Sequence, residues 1–386
     1  MKILLLANYE NDRQESMLRF AALLKSKLEM TGVTVETISP RPFFGRLKRG
    51  ATGIGKWLGY LDKFLVFPFA LKQKTSRMGG DLVVHICDHS NAFYTRYLKA
   101  VPHLVTCNDL LAIRAARGDF PQQRTAFTGR ILQRWILNGL RHARRITCIS
   151  EATRKDFLAL SSADPASVDV TYMGLNPVYS PMARQVALDR VRSLAGAGDS
   201  FILHVGGNQW YKNRVGVLAI YAALGDITRK TKLVMAGPPF DDGMNAFLHL
   251  HPAIASNVVS LSGVDDETLR ALYSAAELLL FPSIEEGFGW PIIEAQACGC
   301  RVAVTGKPPM TEAGGEAAFY LPEPSANLDI LPWSQAAAQV VKLALGQDEA
   351  ARGTMVAKGI KNAGRFSAAT MAQRYVAIYR ELLYKP

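Results

Sequence analysis

The chain has 386 residues, of which 49% are hydrophobic and 20% are charged. That length exceeds one ordinary core and fits two globular domains, and the composition excludes a disordered chain. No stretch reaches the roughly 18 apolar residues of a membrane-spanning helix, and the apolar run at Met1–Ala7 predicts a first β-strand rather than a signal peptide. We therefore expect a protein on the cytoplasmic side.

The charge distribution indicates an anionic partner, and the cysteine pattern argues against a zinc site. Residues 1–195 hold 29 Lys and Arg against 15 Asp and Glu, whereas residues 196–386 hold 16 against 18. We expect the first half to meet something anionic. The five cysteines lack the spacing of a zinc site and several lie in apolar runs, which predicts buried thiols.

Short, apolar, β-branched runs separated by helical patterns predict strands in both halves. Those of the first half are Lys2–Ala7, Val33–Ile38, Asp81–Cys87, His103–Cys107 and Arg145–Ile149. Those of the second half are Phe201–Val205, Thr231–Ala236, Val258–Leu261, Leu278–Phe281, Arg301–Val304 and Ala317–Leu321. This alternation is typical of parallel sheets covered on both faces, and two such units predict two doubly wound α/β domains.

Turn-forming residues between Gly174 and Ser200 predict the domain boundary. We place the first domain at residues 1–185 and the second at 186–366. A final helix, with Ser367 as its predicted N-cap, occupies 367–386.

The most informative segment follows the predicted strand at Leu278–Phe281 and reads Glu286-Gly-Phe-Gly-Trp-Pro-Ile-Ile-Glu294. Its glycines let the backbone approach a ligand, and a helix starting near Pro291 offers free N–H groups and a positive dipole end to a phosphate. The two glutamates can accept hydrogen bonds from sugar hydroxyls. A two-glycine loop alone is more often an ordinary turn with surface glutamates.

The match is much longer than such a loop, because the segment resembles the signature of the retaining glycosyltransferases of family 4. The resemblance continues through Ala295-Gln-Ala-Cys-Gly299 to Thr311-Glu-Ala-Gly-Gly315. It implies a GT-B fold: two Rossmann-like domains facing a cleft, with the C-terminal helix packing back on the first domain. It also implies that Glu286 contacts the donor sugar and that Glu294 contacts the ribose. The intervening backbone would lie against the sugar and diphosphate.

A second match reads Gly206-Gly-Asn-Gln-Trp-Tyr-Lys-Asn-Arg214, directly after a predicted strand. A departing nucleoside diphosphate needs a cation beside free N–H donors, and the resemblance assigns that role to Lys212. The Arg that the family often has before this Lys is absent, and Arg214 is the candidate replacement. We predict Glu286, Lys212 and Arg214 as catalytic residues. The predicted donor-binding residues are Gly206, Gly207, Asn208, Lys212, Asn213, Gly237, Glu286, Gly287, Phe288, Gly289, Trp290 and Glu294.

The predicted acceptor side, in the first domain, departs from the family. The loop after the first strand is polar rather than glycine-rich, and the family's His after the fourth strand is Asn108 here. Two histidines inside apolar strands, His85 and His204, are predicted core residues, whereas His89 lies beyond a strand end. The predicted acceptor residues are Asn11, Asp12, Arg13, His89, Asn108 and Asp109.

Residues 41–77 contain nine Lys and Arg, one acidic residue and seven aromatic residues. This composition suits contact with an anionic membrane surface, although a solvated helix with a buried aromatic face has the same pattern. RNA-binding segments also share it, but no nucleic-acid motif accompanies it. The acidic pairs Asp241-Asp242 and Asp265-Asp266 predict helix starts rather than a metal site.

The resemblance implies transfer of a hexose-type sugar from a nucleoside-diphosphate sugar to an acceptor hydroxyl, with retained configuration and without metal or cofactor. By analogy, the acceptor is a glycan or lipid-linked glycan of cell-surface polysaccharide synthesis, reached by an enzyme peripheral to the inner membrane face. We expect no nucleic-acid partner. Three alternatives stay open: a nucleotide-sugar-binding partner without catalysis, a UDP-sugar epimerase of the same architecture, and a membrane or RNA adaptor.

Overall fold

The computed structural model describes residues 1–12, 14–46, 53–195, 200–324 and 329–384. They form two compact units, the first comprising Met1–Gly174 with the chain from Ala368 onward, and the second Leu175–Ser367. The units thus divide eleven residues before the predicted boundary. Turn chemistry marks this stretch, but packing decides its membership: the Tyr179 hydroxyl donates to Asp266 at 3.2 Å and the Met182 amide to Ser274 at 3.2 Å.

The first unit is built on a six-stranded parallel sheet in the order β2-β1-β3-β4-β5-β6. The five predicted strands are present, and a sixth was missed because its three residues are too short to show a pattern. The strands are β1 Lys2–Leu6, β2 Thr34–Ile38, β3 Leu82–Ile86, β4 His103–Cys107, β5 Arg145–Cys148 and β6 Val168–Val170.

Helices cover both faces of this sheet, because strands such as β3 and β4 are buried along their whole length and need apolar cover on each side. A π-helical turn at Asp62–Val66 joins the second helix to the third, and 3-10 segments occupy Glu10–Asp12 and His89–Tyr97. The helices are α1 Glu15–Glu29, α2 Gly53–Leu61, α3 Phe67–Met78, α4 Leu111–Arg117, α5 Phe127–Arg141 and α6 Glu151–Ser161.

The second unit repeats the plan with a parallel sheet in the order β12-β11-β10-β7-β8-β9. All six predicted strands are confirmed: β7 Phe201–Val205, β8 Lys232–Ala236, β9 Val258–Leu261, β10 Leu278–Phe281, β11 Val302–Thr305 and β12 Ala318–Leu321. The helices are α7 Arg184–Ala195, α8 Arg214–Ala222, α9 Asp242–Leu250, α10 Pro252–Ala255, α11 Asp266–Ala275, α12 Trp290–Ala297, α13 Met310–Gly314, α14 Ile330–Leu345 and α15 Glu349–Ala363.

The two acidic pairs of the second unit mark helix starts, as predicted. Asp241 accepts a hydrogen bond from the Met244 amide at 3.0 Å, and Asp265 accepts one from the Thr268 amide at 2.7 Å. Each is the N-cap of its helix. Within the described ranges, no group of three or more His, Cys, Asp and Glu side chains is arranged to hold a metal ion.

The last helix, α16 Ala368–Tyr384, packs in the first unit. Its Tyr379 hydroxyl lies 2.6 Å from Nδ1 of His85, whose Nε2 lies 2.7 Å from the Thr106 hydroxyl. Burial lowers the pKa of His85 to about 3, so this ring is neutral. His85 is therefore a satisfied core residue, as predicted, and it ties α16 to the sheet.

Each sheet contains two adjacent strands whose following connections lead to opposite sides of the sheet. In the second unit, the chain leaves β7 toward β8 and β9 but leaves its neighbour β10 toward β11 and β12. Loops that diverge in this way open a crevice at the carboxyl ends of the strands, where doubly wound folds bind ligands. Both donor motifs lie in these two loops. No helix in the described part of the chain is long and apolar enough to cross a membrane.

Candidate active site

The loops after β7 and β10 are joined by an ion pair between Lys212 and Glu286. The Lys212 ammonium donates to both carboxylate oxygens of Glu286, at 2.7 and 3.0 Å. The side chains are only 17% and 7% exposed. The structure thus brings together two of the three predicted catalytic residues, one from each donor motif.

Backbone contacts fix this pairing. The Ile284 amide donates to the Tyr211 carbonyl at 2.7 Å, and the Asn213 side chain donates to the Pro282 carbonyl at 3.0 Å. Asn213 has a φ of 53°, a left-handed conformation that Asn tolerates better than most residues, and it turns the chain into α8. The predicted donor residue Asn213 therefore positions the loop that carries Lys212.

The Lys212 ammonium also lies over two aromatic rings, 5.4 Å from the centre of Phe281 and 5.5 Å from that of Tyr211. An ammonium has three N–H donors, and Glu286 accepts two of them here. The geometry leaves a donor for one further acceptor, such as a phosphate oxygen.

The glycine loops after β7 and β8 lie against each other. The Gly206 amide donates to the Ala236 carbonyl at 3.1 Å. A Cβ atom at Gly237 would overlap the Gly206 carbonyl oxygen, so only glycine permits this approach. The Asn208 side chain crosses the same gap and donates to the Pro239 carbonyl at 3.0 Å.

Arg214, at the start of α8, lies buried beside these loops. Its Nη1 donates to the Pro238 carbonyl at 2.9 Å and to the Asn208 side chain. Its Nε and Nη2 have no hydrogen-bond partner in the described part of the protein. Burial lowers the pKa of this guanidinium, and the charge of Asp241 opposes that shift. Buried donors without partners are costly, so an anion bound here would be favoured.

His204, on β7, is buried as predicted for a core residue. Its Nδ1–H donates to the Leu280 carbonyl at 3.0 Å, which leaves Nε2 as an acceptor without a partner among the described residues. Burial, followed by the charges of Arg214 and Lys212, lowers its pKa to about 3. The ring is therefore neutral.

The second glutamate of the motif, Glu294, lies within α12 and has a hydrogen-bond partner of its own. Its carboxylate accepts a hydrogen bond from the buried Tyr273 hydroxyl at 3.0 Å. Gly289 has a φ of 104° where the helix begins, and Phe288 packs against Phe366 with ring centres 5.3 Å apart. Trp290 Nε1 is buried and has no partner in the described ranges.

In the first unit, Asn11 and Asp12 line a cavity of about 280 Å³. The Asp12 carboxylate pairs with the Lys63 ammonium at 2.6 Å, and the Asn11 amide donates to the Tyr9 hydroxyl at 3.1 Å. Gln133, on α5, also lines the cavity, and its buried Oε1 has no partner among the described residues. The remaining polar and aromatic lining includes Gln14, Tyr60, Phe64, Ser90 and Asn91.

His89 and Asn108 meet a different group, the buried carboxylate of Asp88. The Asn108 amide donates to Asp88 at 3.2 Å, and the Asn8 amide donates at 2.5 Å. His89 Nδ1 lies 3.2 Å from the same carboxylate. Burial opposes ionisation of Asp88, but His89 and the hydrogen bonds prevail and hold its pKa well below the usual range. Although burial lowers the pKa of His89, Asp88 raises it overall.

Two predicted acceptor residues, Asp109 and Arg13, remain. Asp109 accepts a hydrogen bond from the Leu111 amide at 3.0 Å, which places its carboxylate at the start of α4. Arg13 lies outside the described residues.

Comparisons with known proteins cover both units. Residues 19–178 match the model of Glycosyltransferase Family 4, and residues 199–330 match that of Glycosyl transferases group 1. The chain belongs to glycosyltransferase family 4.

Curated relatives agree with this membership. The O-antigen chain mannosyltransferase B of Escherichia coli is 25% identical over 66% of this chain and 65% of that protein. A D-inositol 3-phosphate glycosyltransferase of Mycobacterium ulcerans is 30% identical over 54% of this chain and 45% of that protein. The chain thus spans less than two thirds of the length of each of these curated relatives.

The structural likeness extends over the whole chain. Sucrose-phosphate synthase from Thermosynechococcus elongatus aligns over 99% of both chains, with 18% identity and a TM-score of 0.74. Anabaena HepE, solved in complex with UDP-glucose, aligns over 99% of this chain and 100% of that one, with 15% identity and a TM-score of 0.69. At these identities the likeness shows the fold, and the predicted GT-B fold is confirmed.

Within this family 4 chain, sequence reasoning missed residues that the fold brings to the predicted acceptor loop. Lys63 pairs with Asp12 across 51 residues and Gln133 comes from α5, so no local pattern links either to the loop. Asp88 had a usable signal: it directly follows a buried strand and accepts from the Ser90 amide at 3.1 Å, a turn that Asp favours.

Proposed function

We propose that this chain transfers a hexose from a nucleoside-diphosphate sugar to an acceptor hydroxyl with retention of configuration. The observation that carries the proposal is the Lys212–Glu286 ion pair, which joins the two donor motifs at the point where the second sheet changes direction. The Anabaena structural neighbour in complex with UDP-glucose supports this class of donor. The mannosyltransferase relative supports a hexose.

The proposed donor site divides into a sugar side and a diphosphate side. Glu286 accepts hydrogen bonds from the sugar hydroxyls and from the Lys212 ammonium. The remaining N–H of Lys212 and the unpartnered donors of Arg214 bind the diphosphate, whose charge grows as the glycosidic bond breaks. Glu294 binds the ribose, and the loop at Gly237 lies near the base. This scheme uses no metal and no cofactor.

A separate general base is not required in this scheme, because the leaving phosphate can accept the proton of the acceptor hydroxyl. That matters here because the family's His is Asn108, whose amide is occupied by Asp88. Asn108 and His89 are therefore proposed to shape the acceptor side rather than to transfer a proton.

The acceptor is proposed to be a glycan or a lipid-linked glycan. The cavity beside Asn11 and Asp12 supports a neutral polyhydroxyl group, because the Lys63 ammonium that lines it is already compensated by Asp12. Amide, hydroxyl and aromatic groups around such a pair suit sugar hydroxyls and sugar faces. Synthesis of a cell-surface polysaccharide is the proposed role, which the name of the O-antigen relative supports.

Contact with the inner face of the membrane is proposed for residues 41–77. Phe43 and Phe69 are 65% and 78% exposed, and Trp57 is exposed between them in the sequence. Arg41, Arg46 and Arg77 line a cavity of about 690 Å³ in the same segment. Exposed aromatic and basic side chains within one segment suit an anionic interface. We propose a peripheral protein of the cytoplasmic side without a nucleic-acid partner.

A screen of nucleotide sugars tests the donor proposal. We expect one nucleoside-diphosphate hexose to raise the melting temperature, since a ligand that binds only the native state stabilises it. That donor should then label a glycan or lipid-linked glycan acceptor, and NMR of the product should show the donor's anomeric configuration. An inverted product would overturn the retaining mechanism, and the lack of any stabilising nucleotide sugar would overturn the function.

The same screen separates the other candidates. Asn108 in place of His is the observation that favours a binding partner without catalysis. That alternative predicts donor stabilisation with neither transfer nor donor hydrolysis across a broad acceptor panel. An epimerase would isomerise the donor sugar in the absence of any acceptor.

A further inference from the structure

A second cavity of the first unit, about 490 Å³ in volume, has a basic lining. Its charged side chains are Arg96, Lys99 and Arg144, joined by the imidazoles of His103 and His142, and no carboxylate lies among the described residues that line it. His103 is the first residue of β4, so the cavity lies toward the amino ends of the strands. The loops predicted to bind substrate follow the opposite, carboxyl ends.

Among the described residues, no carboxylate compensates the cationic charge in this cavity. Arg96 donates to the Tyr97 hydroxyl at 2.6 Å, and Arg144 donates to the Lys99 carbonyl at 3.2 Å, both neutral acceptors. In the described ranges, no carboxylate oxygen lies within 4.0 Å of these three cations. By contrast, Lys63 and Arg145 each meet a carboxylate at 2.6 Å.

The surrounding sequence adds positive charge rather than neutralising it. Between Asp119 and Glu151 the chain holds six Arg and no acidic residue, a stretch that includes the whole of α5. The 3-10 segment His89–Tyr97, which supplies Arg96, also contains no acidic residue. The elements that line the cavity therefore produce a positive potential that would attract an anion.

A buried histidine holds one of the cations in place. His103 donates from Nδ1 to the Val101 carbonyl at 2.8 Å, and its Nε2 accepts from the Arg144 backbone amide at 3.2 Å. Burial, followed by the charge of Arg144, lowers the pKa of His103, so it stays a neutral acceptor. The backbone that presents Arg144 is thus fixed before any ligand arrives.

An aromatic row connects this cavity to the proposed membrane segment. Trp135, which lines the cavity, is 50% exposed, and its ring centre is 6.0 Å from that of Phe64. The row continues to Tyr60 at 5.6 Å and to the exposed Trp57 at 5.7 Å. Trp and Tyr favour the level of the lipid headgroups, where apolar and wet regions meet.

We propose that this cavity binds the phosphate group of an anionic lipid headgroup at a membrane surface. Arg96, Lys99 and Arg144 supply the charge-assisted donors that a phosphate prefers. The row from Trp135 to Trp57 identifies a lipid, rather than a soluble phosphate, as the source, because it places the cavity at the edge of an interfacial aromatic surface. Its three cations line neither the proposed donor site nor the cavity beside Asn11 and Asp12. The inference rests on the membrane contact proposed for residues 41–77 and locates a lipid-binding site beside it.

Vesicle binding by the full chain, without donor or acceptor, tests the site. The variant Lys99→Gln/Arg144→Gln should bind vesicles of phosphatidylcholine with phosphatidylglycerol about 30-fold more weakly than wild type, from about 1 kcal/mol for each lost charge. Its matched control, Arg117→Gln/Lys155→Gln, removes one Arg and one Lys that are exposed outside the cavity. The control should lose less than about 3-fold, because those charges lie outside the site. Wild type should bind vesicles of phosphatidylcholine alone only weakly.

Equal losses in the two double variants would overturn the site, since binding would then follow net charge alone. Unchanged vesicle binding by Lys99→Gln/Arg144→Gln would also overturn it. Binding of inorganic phosphate, measured at constant ionic strength, tests for a soluble ligand. If Lys99→Gln/Arg144→Gln abolishes tight phosphate binding but leaves vesicle binding unchanged, the cavity binds a soluble ligand instead. Because no sugar transfer is measured, a failure here is distinguishable from a failure of the proposed transfer reaction.

Discussion

The Lys212 ammonium and the Glu286 carboxylate, 74 residues apart in the chain, form an ion pair in which Nζ lies 2.7 Å from one carboxylate oxygen and 3.0 Å from the other. Each side chain limits the conformations of the other, and both lie mostly shielded from water. An ion pair in such a place holds its charges in position before a ligand binds. It also means that a change in either residue disturbs both.

We predict that Lys212→Met and Glu286→Gln each lower kcat/KM for sugar transfer by about 100- to 1000-fold, the range seen when one preorganised charge donor is removed. Loss of the ammonium removes stabilisation of the leaving diphosphate, and loss of the carboxylate charge frees the ammonium from its position. Steady-state kinetics measure the effect, and circular dichroism checks the fold.

The neighbouring pair Glu285–Lys307 is the matched control. Its ammonium and carboxylate are also 2.7 Å apart, with side chains 15% and 22% exposed. Glu285→Gln and Lys307→Met should therefore have similar effects on stability while leaving kcat/KM within about 3-fold of wild type. Equal losses of activity in the two pairs would remove the special role of Lys212 and Glu286.

Gly237→Ala should separate the two glycine loops of the second unit. The added methyl group would overlap the Gly206 carbonyl oxygen, which belongs to backbone and cannot rotate away. We expect a loss of at least about 2 kcal/mol in the free energy of unfolding and a weaker donor affinity. Urea unfolding and nucleotide titration measure the two effects.

Gly243→Ala, in α9, is the control for that substitution. A Cβ atom there makes only ordinary contacts, the nearest at 3.4 Å from the Asp241 side chain. Alanine within a helix should be neutral or stabilise the protein by about 0.5–1 kcal/mol. If both glycine variants behave alike, close approach of the loops is not what Gly237 provides.

Gln133→Leu should weaken acceptor binding without destabilising the protein. The buried Oε1 of Gln133 has no partner among the described residues, so its removal should leave stability unchanged or raise it by about 1 kcal/mol. The apolar side chain cannot accept a hydrogen bond from a sugar hydroxyl in the cavity. We therefore expect a higher KM for the acceptor at an unchanged donor KM, and an unchanged acceptor KM would contradict a role in acceptor binding.

Histidine burial predicts how stability depends on pH. The folded pKa of His85 is about 3 against an ordinary 6.5, so over that window the unfolded chain binds a proton that the folded protein excludes. The stabilising contribution of His85 is fully present above pH 6.5 and is lost as the pH falls toward 3, by about 1.4 kcal/mol per pH unit.

His85→Gln isolates this effect, because the other histidines titrate alike in both proteins. The wild-type free energy of unfolding should fall relative to that of the variant as the pH is lowered from about 7 to about 5. Urea unfolding at each pH measures the difference. Parallel pH profiles would show that His85 can be protonated in the folded protein.

Local sequence patterns predicted eleven of the twelve strands in the described part of the chain and the helix starts at Asp241 and Asp265. Strands such as His103–Cys107 and Leu278–Phe281 were predicted to the residue, because a parallel strand buried on both faces needs a continuous apolar run. The short β6, Val168–Val170, was not predicted because three residues are too few to show a hydrophobic pattern. The glycines and Lys-Asn pair of the donor motifs were visible for a similar reason: their backbone requirements are met by neighbours in the chain.

Which side chains meet depends on the tertiary structure. Lys212 and Glu286 face each other because β7 and β10 are adjacent in the sheet, an order that no local pattern states. Likewise, Asp12 meets Lys63, which is 51 residues away in the chain, and Asn108 meets Asp88, which is 20 residues away. Local sequence is enough to predict most of the elements and the chemistry of the motifs, because these depend on neighbours along the chain. The partners of each charge depend on packing between distant segments, which only the folded chain defines.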